Sequence, residues 1–541
     1  MSTTITPTFN EERLLFTPVP PDAGATPVIF AFPNTYSVGI TSLGYQVVWA
    51  TLAQRPDLDV SRLFTDLQDP LPANPDLLGF SLSWELDYVN ILTLLESLNI
   101  PIWAKERSDS DPIIFGGGPV LTANPEPFAE FFDVVLLGDG EHLLGAFLDA
   151  FQQGRGADRA TQLRQLAQVP GVYVPSLYQV TYQADDGPIA TIQPLDSDIP
   201  AQLEKQTYRG DRLSTSTVVT PQAAWENIYM VEVVRSCPEM CRFCMASYLT
   251  LPFRVAPMNS LMAAIEKGLT VTQRLGLLGA SITQHPEFAD LLDYLNQPQH
   301  DDVRLSLASV RTNTVNRQLT ETLTRHGSRS ITIAVESGSA RLRRIVNKKL
   351  ETAEIVEAAI NAKAGGLSAL KLYGMAGIPG EVPEDLEATM TMMQQVKKAA
   401  PGLRLTLGCS TFVPKAHTPF QWYGVNKAAD KRLKLLQKQL RSKGIDFRPE
   451  SYNWSVIQGL IARGDRRLAK LLVQVREYGD SLGSYKRAFK DLKGQLPPLS
   501  FYVHEDWSIE QTLPWDHIGG PLPKGTLLKH REDAISHFPN P

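Results

Sequence analysis

Three of the four cysteines in this 541-residue chain fall within eight residues, in the stretch Cys237-Pro238-Glu239-Met240-Cys241-Arg242-Phe243-Cys244. Three thiolates on one short loop can reach a single centre without long loop closure, and soft thiolates select iron–sulfur clusters, Zn²⁺ or Cu(I). A structural zinc site wants four protein ligands, usually as two separated pairs, and no companion Cys-x-x-Cys exists. A [4Fe–4S] cluster usually takes four cysteines. Three leave one iron open to a substrate or cofactor, the mark of a reactive centre. Buried, uncoordinated cysteines are the plainer reading, but packing alone does not explain why three should cluster behind a strand. Cys409 stands apart in an apolar pattern, where a free cysteine most often serves as a small buried hydrophobe; a role as hydrogen donor or extra ligand is the alternative. His285 and His417 follow the second and sixth strands predicted below, where a lone loop histidine more often bonds than catalyses.

The elements that must position these residues alternate strand and helix. Val28-Ile29-Phe30-Ala31-Phe32 is a continuous apolar run of the kind a buried parallel strand shows. Further apolar runs at 77–82, 113–115 and 134–137 each end in a loop, two of them Gly116-Gly117-Gly118-Pro119 and Gly138-Asp139-Gly140-Glu141, with helical patterns at 45–52 and 89–98 between them. This predicts a doubly wound parallel sheet over 28–154, preceded by an arm at 1–27, with ligands expected at the carboxyl ends of its strands. Residues 155–225 read as a polar connector with a small antiparallel element pairing 171–174 with 178–181. Over 226–425, strands predicted at 230–234, 277–282, 303–307, 330–335, 369–373 and 405–412 suit a partial (β/α)6 barrel, with its chemistry at the strands' C-terminal ends. The remainder, 426–541, reads as a mainly helical, basic extension. One helix places Leu433, Leu436 and Leu440 on a face; another places Ile457, Leu460, Leu468, Leu471 and Val475.

On the first barrel strand, Glu232-Val233-Val234-Arg235-Ser236-Cys237 through Phe243-Cys244 resembles the signature of radical S-adenosylmethionine enzymes. The resemblance implies that Cys237, Cys241 and Cys244 hold a [4Fe–4S] cluster whose open iron is chelated by S-adenosylmethionine. Electron transfer then cleaves the cofactor to methionine and a 5′-deoxyadenosyl radical that abstracts a substrate hydrogen. It also implies an electron donor such as flavodoxin or ferredoxin. Ala334-Val335-Glu336-Ser337-Gly338-Ser339 resembles the family's fourth-strand motif, placing Glu336 and Ser337 near the cofactor. Gly377-Ile378-Pro379-Gly380-Glu381 resembles the fifth-strand loop that supports the adenine; taken alone it is an ordinary strand-to-helix turn. Thr411 to Phe420 resembles the sixth-strand ending of the cobalamin-dependent and methylthiotransferase branches. Ser309 and Arg311 are candidates to hold the methionine carboxylate, with solvent-facing roles as the alternative. The usual Gly-Gly-Glu after the second strand is replaced by Gly279-Ala280-Ser281.

The N-terminal sheet resembles the cobalamin-binding domain of the cobalamin-dependent subclass. Where that family carries Asp-x-His-x-x-Gly, this chain has Asn34-Thr35-Tyr36-Ser37-Val38-Gly39. A tyrosine is a poor neutral cobalt ligand, so cobalamin here would lack a histidine ligand. Gly116, Gly117, Gly118, Gly138, Gly140 and Glu141 would let backbone approach the nucleotide tail. A nucleotide-type fold that binds nothing, or binds substrate, is the competing reading. The chain as a whole, including Leu513-Pro514-Trp515-Asp516-His517-Ile518, most resembles an uncharacterised branch of these enzymes. Radical methylthiotransferases need three further N-terminal cysteines, and none precedes Cys237.

Charge and composition set the outer limits. The chain is 43% hydrophobic and 20% charged with net charge −6, which rules out global disorder. Between Lys427 and Lys490, sixteen Lys/Arg face six Asp/Glu, so this stretch carries +10 and the rest −16. Lys431, Arg432, Lys434, Lys438, Arg441 and Lys443 raise RNA binding as a reading, but their leucine-striped segments lack the aromatic interleaving of a stacking platform. Scarce cysteines point to a reducing cytoplasm. No secretory pattern is visible, and no apolar run nears the roughly 18–20 residues of a membrane span. The expected activity is methylation of an unactivated carbon. The alternatives are radical rearrangement, cyclisation or oxidation without methyl transfer, or an RNA-binding or RNA-modifying protein using the basic tail.

Overall fold

In the computed structural model, residues 9–539 are described. The N-terminal sheet contains parallel strands Thr26–Ala31, Leu58–Leu63, Leu77–Ser81, Ile113–Gly117 and Val134–Leu136. Numbered along the chain, they lie in the order 2-1-3-4-5. The chain reverses direction across the sheet between the first and third, which opens a crevice at their carboxyl ends. Helices Leu43–Ala53 and Tyr88–Ser97 connect strands of this set, and Gly140–Gln153 follows the last of them. Val28, Ile29 and Phe30 are buried because the sheet is covered on both faces. A short sixth strand, Val172–Tyr173, adds antiparallel to Val134–Leu136. The antiparallel element expected between 171–174 and 178–181 is therefore not formed: Tyr178–Tyr182 pairs instead with Ile189–Pro194. Buried Val172 and Tyr173 satisfy the open sheet edge, which half-exposed Tyr178–Tyr182 cannot.

The barrel runs parallel through Ile228–Glu232, Arg274–Leu278, Arg304–Leu307, Ser330–Glu336, Ala369–Ala376 and Arg404–Thr411. The third and fourth strands meet through the single parallel bridge Val310–Ile333. A seventh strand, Asp446–Pro449, pairs parallel with the sixth, so the barrel extends beyond the expected boundary at 425. The basic surface of helix Ala429–Ser442 masked this: Leu433, Leu436 and Leu440 are buried in the barrel core, making it a barrel helix that returns the chain to the sheet. The single helix expected through Ile457 and Val475 is two, Tyr452–Arg463 and Leu468–Glu477. They break at Gly464-Asp465, where the Asp465 carboxylate accepts from the Arg467 amide at 3.0 Å.

The rest of the extension contributes helices Leu482–Asp491, Leu499–Val503 and Lys524–Ile535. Its apolar side chains, among them Leu471, Tyr485 and Trp515, belong to one cluster with Phe30, Phe115 and Phe147 of the N-terminal sheet. The barrel has its own core. Among the described residues no helix is long and apolar enough to cross a membrane.

Candidate cofactor site

The cysteine loop leaves the first barrel strand through a two-residue ladder, Val234–Arg235 against Arg254–Val255. It then turns through left-handed backbone at Ser236 and Met240. Distant residues hold it. Arg242 donates from Nη1 to the carbonyls of Arg344 at 2.7 Å and Ile345 at 2.9 Å, satisfying the open end of helix Ala340–Ile345. The Asn347 amide donates to the carbonyls of Glu239 and Met240. Between the first two cysteines, Glu239 accepts from Gln284 and from Arg311 Nη1, the latter at 2.7 Å.

Burial pushes the Cys241 thiol up to about 12 and raises Cys244, with the neighbouring cysteines adding to both. Cys241 and Cys244 are thus held where neither ionises readily alone, and a cationic centre would relieve that cost. Among the described residues no three His, Cys, Asp or Glu side chains are grouped to hold a single ion. An iron–sulfur cluster bonds each thiolate to a different iron, so a donor set of three soft sulfurs on one pinned loop fits a polynuclear group.

Glu336 lies at the end of the fourth strand with a left-handed backbone and binds Lys348 at 3.0 Å. Burial works against the charge on Lys348, yet Glu336 and Cys241 hold it above its usual value. Ser337 is buried and turned inward: its hydroxyl accepts from the Ser339 amide and its carbonyl from Arg343. In the fifth-strand loop, the Gly377 amide donates to Glu381 at 2.6 Å, and Glu381 pairs with Arg432 at 2.6 Å. Ile378 is fully buried, Pro379 borders an open groove, and the Gly380 carbonyl accepts from Arg341. Ser309 is exposed. The guanidinium of Arg311 is committed to Glu239, Asn313 and the Lys349 carbonyl. The arginine considered for the methionine carboxylate is a tether of the cysteine loop.

A cavity of about 300 Å³ opens at the carboxyl edge of the N-terminal sheet. Gly117, Gly118, Gly138, Gly140 and Glu141 line it on the sheet side; Arg235, Met245, Leu249 and Thr250, flanking the cysteines, line it on the barrel side. Gly118 and Gly138 have φ of 112° and 115°, and a Cβ on either would strike backbone of Leu82 or Gln206 within 2.5 Å. Their glycine identity follows from the chain itself. A Cβ on Gly140 would meet only Val48, at an ordinary contact distance of 3.8 Å, so packing does not demand a glycine there. Gly116 is spent on packing against Phe132 and Leu121.

The cobalt-motif positions lie elsewhere. Asn34 donates to Asp87 at 3.0 Å, Tyr36 donates to Glu12 at 2.6 Å, and Gly39 is packed against Phe64. None of the three lines the cavity. The short helix Tyr36–Gly39 turns Tyr36 into an aromatic cluster with Phe9 and Phe64. Two arrangements were not visible in the motifs. One is Lys348 beside Glu336. The other is Arg235, which binds Glu232 at 2.7 Å and Glu141 at 2.6 Å and so ties the barrel to the sheet. The sole hint was an arginine two residues before the first cysteine.

Comparison with known proteins agrees with this arrangement. Residues 65–175 match the family described as radical SAM proteins, N-terminal, and residues 231–393 match the radical SAM superfamily. An uncharacterised protein of Methanocaldococcus jannaschii is 28% identical over 456 residues, covering 82% of this chain and 90% of that protein. An uncharacterised methyltransferase of Pyrococcus horikoshii is 24% identical over 339 residues, covering 60% and 65%. Among solved structures, the radical S-adenosylmethionine methyltransferase TsrM from Kitasatospora setae, with cobalamin and a [4Fe–4S] cluster bound, shares the fold. Its TM-score is 0.50 at 12% identity, over 87% of this chain and 99% of that one. With the cysteine loop, the fourth-strand glutamate and the parallel barrel in these positions, residues 231–393 form a radical S-adenosylmethionine domain.

Proposed function

We propose that this protein is a cobalamin-dependent radical methyltransferase acting on an unactivated carbon. The observation that carries the reading is the cavity shared between the sheet's glycine loops and residues 245–250 beside the cysteines. A cofactor seated there would lie against the same loop that bears the cluster thiolates. When bound, the cluster and S-adenosylmethionine supply radical initiation, and cobalamin supplies the methyl group. The chain's own residues perform the holding. Cys237, Cys241 and Cys244 present the sulfurs; Arg242, Asn347 and Arg311 fix their loop. Glu336 and Lys348 offer a paired carboxylate and ammonium beside Cys241 for the polar groups of S-adenosylmethionine. Gly117 and Gly140, which line the cavity without a side chain, would border the corrin's nucleotide tail. No histidine lines the cavity among the described residues, so cobalamin would be held without an imidazole ligand. The electron would come from a flavodoxin- or ferredoxin-type donor.

The test is anaerobic reconstitution with iron, sulfide and hydroxocobalamin, followed by metal quantification. The reading expects about four irons and one cobalt per chain, with iron lost in Cys237→Ala, Cys241→Ala or Cys244→Ala and retained in Cys409→Ala. It also expects S-adenosylhomocysteine during turnover. Iron without cobalt, and deoxyadenosine without S-adenosylhomocysteine, would sink the methyltransferase reading and leave a general radical enzyme.

A further inference from the structure

The barrel lumen is unlike a packed (β/α)8 interior. On each strand one set of alternating residues enters the core shared with the helices: Leu275 and Leu277, Ile331 and Ile333, Leu370 and Leu372, Leu405 and Leu407. The other set must face the lumen, since successive side chains of a strand alternate. That set includes small residues on four strands, Gly276, Ser306, Ala308, Ala334, Gly408 and Ser410, while on the first strand it is Ile228 and Met230, both buried. A full barrel fills these positions with layers of bulky branched side chains. Here Ser306 and Lys371 are exposed in mid-strand, and Tyr373 is 52% exposed, with its ring beside Gly408, its partner on the next strand. Beside the third and fifth strands the lumen is open to solvent.

Its lower mouth is basic, although this part of the chain lies outside the basic extension. Arg274, Arg304 and Arg404 are the first residues of the second, third and sixth strands, all exposed, and exposed Arg329 immediately precedes the fourth. Arg274 and Arg304 pair directly in register. Among the described residues, Arg304, Arg329, Lys371 and Arg404 have no ion-pair partner. Of the acids near this rim, Glu226 lies 3.8 Å from Arg274 itself, Asp301 is engaged with Arg325 and Asp446 with Arg448. Gly408, the level of Tyr373, is four residue steps along the strand from Arg404, a rise of about 13 Å, and Glu336 is six steps from Ser330, about 20 Å.

We propose that the acceptor is an elongated anion that threads this lumen. Its phosphate or carboxylate rests on Arg304 and Arg404 of this rim, and its apolar or unsaturated body passes Tyr373 toward the Glu336 level. The assignment rests on the radical reading of the site above, and it adds the substrate class. An anionic end about 20 Å from the reacting carbon excludes small amino acids and compact metabolites as acceptors.

Isothermal titration of the reconstituted full chain tests this with inorganic phosphate, butyl phosphate, dodecyl phosphate and dodecanoate. Dodecyl phosphate, long enough for the rise to Tyr373, is expected to bind at least tenfold tighter than butyl phosphate, which is too short. The double variant Arg304→Gln/Arg404→Gln should weaken dodecyl phosphate at least tenfold. Tyr373→Ala should weaken it about fivefold while leaving butyl phosphate unchanged. The dodecanoate arm distinguishes a carboxylate end from a phosphate end. Dodecyl phosphate binding that survives both variants, or no saturable binding at all, overturns the proposal. Iron and cobalt content measured on the same samples reports the radical reading separately, since titration needs no turnover.

Discussion

Arg311 shows how a single side chain separates two roles that look alike in sequence. Its guanidinium spans Glu239, Asn313 and the Lys349 carbonyl, so it braces the loop between Cys237 and Cys241. A charge-assisted bond of this kind contributes about 1.5–3 kcal/mol. Arg311→Gln is therefore expected to speed iron loss to a chelator several-fold while leaving the dissociation constant for S-adenosylmethionine nearly unchanged. A raised constant with unchanged iron retention would return Arg311 to the cofactor carboxylate. The buried histidines behave differently. Burial lowers His417 and His517 to about 4, with Lys205 and His517 adding at His417 and Arg466 at His517. Unfolded, each titrates near 6.5. Between about 6.5 and 4 the unfolded chain binds more protons, so stability falls as pH drops through that window, by about 2 kcal/mol per histidine at pH 5. Urea midpoints at pH 7.5 and 5 should show this loss, and His417→Gln should remove part of it. The cysteines were legible because their chemistry is contiguous in the chain. Lys348 and Arg235 were not, because each acquires its meaning from a carboxylate brought in by folding.

At the scale of elements, the helix Lys524–Ile535 closes the outer side of the site. Tyr248, four residues after the last cysteine, meets His530 Nδ1 at 2.8 Å. Ala534 is buried with Leu342, Ile345 and Val346, and Phe538 packs on Gly380 of the fifth-strand loop. Deleting residues 524–541 should expose the cysteine loop to solvent. The expected outcome is several-fold faster bleaching of cluster absorbance in air, with anaerobic iron loading preserved; unchanged bleaching would show that the helix shields nothing. Nothing in its sequence announced this role, since a helix with two lysines, a histidine and an arginine reads as a solvated surface. The same masking hid the seventh strand behind the basic face of Ala429–Ser442. By contrast, the first strands of both domains were legible, because Val28-Ile29-Phe30 and Met230-Val231 are buried on both faces and read as unbroken apolar runs. Periodicity reports what an element buries, not which neighbour it buries it against.

In the whole molecule, that last distinction decides how the parts cohere. The extension after the barrel shares its core with the N-terminal sheet, so the chain's two ends form one unit clasping the barrel between them in sequence. Its polar fastening is a fully buried carboxylate. Glu126 receives Arg466 Nε at 2.8 Å and Nη2 at 3.2 Å, accepts from the Tyr173 hydroxyl, and lies 3.6 Å from His517. These four residues come from the sheet's loop, its edge strand and two parts of the extension. Removing one partner of a buried pair costs about 3–5 kcal/mol, because the remaining charge has lost its compensation. Arg466→Met should therefore lower the urea midpoint of the sheet–extension unit. Glu126→Gln/Arg466→Met should recover part of the loss, since two residues in one network do not add. Because the barrel has a separate core, its unfolding should be little affected. Hydrogen exchange resolved by peptide checks this: faster exchange at 134–136, 172–173 and 468–477 together, with 331–335 and 370–376 unchanged. If 468–477 loosens alone, or together with the barrel strands, the extension is an appendage of the barrel, and the cavity has only one rigid wall.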